Sequence, residues 1–64
     1  MKPAGERTGF VCGTRAVVRV RPGDFRVVCA TCDEGGSMSY PSAETANRAA
    51  VKMSARPCAR CGAS

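Results

Sequence analysis

Four cysteines stand in two matching short frames, Cys29 and Cys32 in "VVCATCDEGG" and Cys58 and Cys61 in "RPCARCGAS". Each frame sets two thiols two residues apart, so one tight backbone turn can present both sulfurs together. Zn²⁺ takes four soft ligands at about 2.3 Å in a tetrahedron, and two such turns supply the set. Gly62 follows the last cysteine, where a knuckle turn favours positive φ, and Asp33 holds the same place after Cys32. Both residue types tolerate left-handed backbone better than most. The expectation is one structural Zn²⁺ held by Cys29, Cys32, Cys58 and Cys61. With four protein ligands the coordination is closed, which assigns the metal to folding rather than catalysis.

The same cysteines could instead form disulfides, a redox pair or an iron–sulfur site. The opening "MKPAGERTGF" has no apolar core of a secretory signal. The expected location is therefore the cytoplasm, that of a host if the protein is phage-encoded, with the virion as an alternative. Disulfides are rare in that compartment. Neither pair sits at the strand-to-helix junction of a thioredoxin-like site. Cys12 is the fifth cysteine; it reads as a small packing residue, with a further ligand or reactive thiol as the competing reading.

The remaining inventory argues against an enzyme. There is no His, and the five carboxylates are scattered without pairing. No Ser-His or Cys-His arrangement and no phosphate-cradling glycine motif is present, so no small-molecule substrate is expected. No apolar run approaches the ~20 residues of a membrane helix. The formal charge is +5, from ten Lys and Arg against five Asp and Glu. Four thiolates around one Zn²⁺ would lower it to about +3. Anionic partners suit such a chain.

Elements that could position the cysteines follow from pattern. With 64 residues, no Trp, one Tyr and two Phe, the core is thin and needs a staple. Residues 1–9 read as a flexible basic tail, and 10–64 as a single zinc-binding domain. "RAVVRVRPGDFRVVC" reads as a hairpin, with Pro22-Gly23 at the centre of a type II turn. Pairing Val20 with Phe25, Val18 with Val27 and Ala16 with Cys29 puts an apolar set on one face. Arg15, Arg19, Arg21 and Arg26 then share the other face, with Arg19 opposite Arg26. A short third strand is expected at 37–40. "PSAETANRAAVKMSARP" reads as a helix, capped by Ser42 and ended before Pro57. Ala43, Ala46, Ala49, Ala50 and Met53 fall on one side of it. The fold class is thus α+β: a hairpin and one helix between two zinc knuckles, zinc-ribbon-like.

From Val27 to Ala50 the text is "VVCATCDEGGSMSYPSAETANRAA". It resembles short phage and bacterial zinc-ribbon-type proteins, the restriction-alleviation group among them, which carry V-x-C-x-x-C, a loop and a Ser/Thr-capped x-E-x-A helix. By position, Cys29 and Cys32 match one knuckle of that group, and Ser42, Glu44 and Ala46 its helix start. That group usually places its other cysteine pair before this segment, and often ends the helix in Trp-Asn. Here Cys58 and Cys61 follow the helix, and Trp-Asn is missing. The resemblance implies a small zinc-ribbon-like phage or bacterial protein and does not carry over a restriction-related activity.

Two functions fit these features. One is a non-catalytic binding or regulatory module that engages nucleic acid, or nucleic-acid-processing machinery, through Arg15, Arg19, Arg21 and Arg26, with Arg48 and Lys52 on the helix. The other is a zinc-stabilised structural or adaptor subunit of a protein assembly, such as a phage particle or a host-protein inhibitor.

Overall fold

The computed structural model describes residues 5–58 and 61–62. Three antiparallel strands, β1 (Glu6–Cys12), β2 (Arg15–Arg21) and β3 (Asp24–Cys29), form one sheet in the order β1-β2-β3. The helix α1 (Ala43–Met53) packs on one face of it. The class is α+β, as the sequence implies.

The hairpin of β2 and β3 turns through Pro22-Gly23, and Gly23 takes φ 82, the left-handed conformation that position i+2 of a type II turn requires. Its register differs from expectation. Val17 pairs with Val27, Val18 with Arg26, Arg19 with Phe25 and Arg21 with Asp24, so the ladder shifts between Arg19 and Arg21. Val20 is the extra residue, a bulge that slips every pair beyond the turn by one position.

The slip follows from the Val17-Val18 and Val27-Val28 doublets, each of which sends one valine to either face. Val17 and Val27 meet Ala46 and Ala50 of α1, flanked by Phe10, Phe25, Tyr40, Ala49 and Met53. Ala16, Val18 and Val28 form a second cluster on the opposite face, with Ala30 beside it. Both faces are covered, so the sheet has no purely polar side on which arginines could gather.

The first strand is a second departure. Residues 6–9, expected as tail, belong to β1; residues 1–4 lie outside the described set. A register shift between Arg7 and Val11, with Gly9 at φ 98, breaks the alternation that would have marked the strand. The expected strand at 37–40 is replaced by two isolated bridges, Phe25 with Tyr40 and Val28 with Gly35. These cover the outer edge of β3.

The helix matches its signals. Ser42 is extended and its side chain accepts from Thr45 N, while Glu44 occupies the first turn. Ala46 and Ala50 are fully buried. Methyl side chains at the contact let α1 lie close on the sheet.

Candidate metal centre

The four cysteines converge from two places. Cys29 ends β3 and Cys32 closes the turn after it, while Cys58 and Cys61 follow α1. All four sulfurs lie within 4.8 Å of one another. Across the two knuckles, Cys29 Sγ is 3.7 Å from Cys61 Sγ and Cys32 Sγ is 3.7 Å from Cys58 Sγ. A tetrahedron with metal–sulfur bonds of about 2.3 Å has edges of about 3.8 Å. A disulfide would need about 2.05 Å. The donor set therefore fits one metal ion and does not fit two crosslinks.

The knuckles repeat one backbone design. Asp33 N donates to Cys29 O at 2.9 Å, and Gly62 N donates to Cys58 O at 2.8 Å. Both donors are left-handed, Asp33 at φ 62 and Gly62 at φ 76, as the sequence pattern requires. Thr31 N lies 3.4 Å from Cys29 Sγ. The backbone N–H groups of Cys32 and Thr31 pull the Cys29 thiol below its usual range, whereas burial pushes the Cys32 thiol up. Four neighbouring thiols cannot all ionise by themselves, because like charges repel in a partly buried site. A dication at the centre removes that obstacle, deprotonating its ligands outright.

Two residues outside the motif hold the knuckles in place. Thr14, buried in the turn between β1 and β2, accepts from Ala30 N at 2.9 Å. Its hydroxyl lies 2.8 Å from Arg56 O and 3.3 Å from Ser54 O. One residue thus binds both the first knuckle and the chain leading into the second. Arg7 reaches from β1 to Asp33 Oδ1 at 2.6 Å and Ala30 O at 3.0 Å. Neither stood out in the sequence. The one available signal was the two-residue turn Gly13-Thr14 between the runs "FVC" and "RAV".

Cys12 is half-buried in β1 and lies outside the four-cysteine cluster. It pairs with Arg15, which in turn pairs with Cys29. All three side chains thus share the helix face in adjacent strands.

The expected arginine face does not form. Arg15 and Arg19 alternate with Val17 on the helix side, whereas Arg26 pairs with Val18 on the far side. Arg15 is half-buried and its Nε lies 3.4 Å from Met53 O. Arg19 is 3.7 Å from Glu6. Arg21 and Arg26 both engage Asp24, at 3.4 Å and 3.3 Å. Arg48 and Lys52 are exposed on α1, and Arg48 pairs with Glu44 at 3.4 Å. The repulsive Arg19–Arg26 pair is absent because the Val20 bulge separates them.

No known family model, curated protein or solved structure matches this chain. Among the described residues, no helix is long and apolar enough to cross a membrane.

Proposed function

We propose that this chain is a non-catalytic binding module folded around one structural Zn²⁺, and that it acts as an adaptor by docking on another protein. The carrying observation is the tetrahedral spacing of the four sulfurs, which ties the end of β3 to the segment after α1. Thiolates select zinc over harder cations, and four protein ligands leave no open position for substrate or water. The zinc-ribbon-like resemblance agrees with a small module of this type.

Engagement of nucleic acid would need a surface that follows phosphates. With Arg19 and Arg26 on opposite faces and four strand arginines held in ion pairs or backbone contacts, net charge alone supports that reading. A protein partner is favoured by the apolar surface beside α1.

Native mass spectrometry of the purified chain tests the metal. One Zn²⁺ per chain is expected, retained in Cys12→Ala and lost in Cys58→Ser. A metal-free chain with a well-dispersed amide spectrum in excess chelator would refute the structural role. Loss of zinc from Cys12→Ala would show the ligand set to be wrong. Salt-sensitive retention on DNA, weakened in the double variant Arg19→Gln and Arg26→Gln, would restore the nucleic-acid reading.

A further inference from the structure

The two edges of the sheet are treated differently. The outer edge of β3 is bridged by Gly35 and Tyr40, and Phe25 exchanges both backbone bonds with Tyr40, at 2.9 Å and 2.8 Å. Among the described residues, nothing pairs with the outer edge of β1. An open edge presents backbone donors and acceptors, the template for adding a strand, here in two short runs on either side of the register shift between Arg7 and Val11.

Beside that edge lies an apolar groove. The helix crosses mainly β2 and β3 and touches β1 least, so the helix-side face of β1 is left overhung. Phe10 of β1 and the flank of α1 line a shallow, open groove of about 580 Å³, with Val51 on its wall and Glu44, Arg48 and Lys52 along its rim. Val51 is 53% exposed there. Asn47 also lines it, and its Oδ1 is buried with no hydrogen-bond partner.

These features select the occupant. The unpaired carbonyls of the β1 edge call for N–H donors, which a peptide backbone has and a phosphate backbone lacks. The apolar wall calls for aliphatic side chains at alternate positions. Lys52 calls for acid, since Arg48 already holds Glu44. A second copy of this basic chain would bring the same cations to the same rim. We infer that the β1 edge and this groove form a docking site for an extended, acidic and apolar segment of a partner protein, which adds to the sheet as a fourth strand. The inference rests on the adaptor reading and names its surface and partner class.

The probe is a short synthetic peptide of alternating Glu and Val, titrated into ¹⁵N-labelled, zinc-loaded protein. Zinc content and spectral dispersion are recorded first. Shifts should concentrate on the backbone amides of Glu6–Cys12 and the side-chain amide of Asn47. Val51→Asp and Lys52→Glu change exposed positions and should keep zinc and fold while weakening the peptide about tenfold. A Lys-Val peptide should not compete.

Several results would overturn the inference. They are no binding at millimolar peptide by the intact zinc-loaded fold, shifts elsewhere, equal binding of the Lys-Val peptide, or no effect of either variant. A concentration-dependent dimer abolished by Val51→Asp would assign the edge to a second copy, and a DNA duplex giving the same shifts would assign it to nucleic acid. A chain that folds without zinc yet binds the peptide at β1 would remove the structural role of the metal and leave the docking site standing.

Discussion

Gly13 sets how close the β1–β2 turn comes to the end of α1. It takes φ 57, and a Cβ there would sit 2.6 Å from Ser54 O and 2.9 Å from Ser54 Cβ. Gly23 is also left-handed, at φ 82, but a Cβ there would meet nothing within 4 Å. Gly23→Ala should therefore lose only the conformational penalty, roughly 1–2 kcal/mol. Gly13→Ala should lose more and also weaken zinc, because displacing Ser54 moves the Arg56 carbonyl that Thr14 holds before Cys58. Urea denaturation and zinc competition would check both. Equal losses in the two variants would mean the close approach has no energetic weight. Sequence could point to Asp33 and Gly62, since their demand for positive φ is local to the knuckle. It could mark Gly13-Thr14 as a turn but not name their partners Ser54 and Arg56, about forty residues away.

The hairpin shows the same boundary between local and distant causes. Its turn was legible because Pro22-Gly23 carries its own geometry. Its register was not, because the bulge at Val20 is set by two cores on opposite faces, whereas the alternation along the strands suggests one apolar face. The bulge also places Asp24 where Arg26 donates through Nε and Nη2, both at 3.3 Å, Ser39 Oγ donates at 2.6 Å and Arg21 Nε lies 3.4 Å away. The hydrogen bond from Arg26 lowers the Asp24 pKa most, followed by that from Ser39, and the value falls from 3.8 to about 2. A depressed carboxylate stabilises the fold fully above its unfolded value, and that contribution disappears as pH falls from about 4 through about 2. Protonation of the zinc thiolates releases the metal above that window, so the network is tested where the fold stands. Asp24→Asn should lower the urea midpoint of the zinc-loaded protein by a constant amount between about pH 8 and 6, and an unchanged midpoint would contradict it.

At the scale of the molecule, the largest fully buried side chains among the described residues are Val17, Val18, Val28 and Cys29. Burying a valine contributes roughly 1.5–3 kcal/mol before the entropy of ordering the chain is charged. So small a core leaves the four sulfurs, together with the Thr14 hydrogen bonds, to tie the end of β3 to the segment after α1. That site was readable from sequence because each knuckle is written within five residues. The arginine surface was not, since it depended on pairing between strands. If folding and metal binding are one equilibrium, ligand linkage applies directly: above the dissociation constant, each tenfold rise in free zinc should raise the unfolding free energy by about 1.4 kcal/mol. Urea melts in a series of zinc buffers would read this as a steady rise in midpoint at constant slope. Cys12→Ala should run parallel to wild type, displaced by no more than about 1–2 kcal/mol. Cys58→Ser should flatten the line, because three thiolates hold the metal far less firmly. A wild-type midpoint independent of free zinc, in a chain that still folds with chelator in excess, would place the stability in the two valine clusters and deny the metal its structural role.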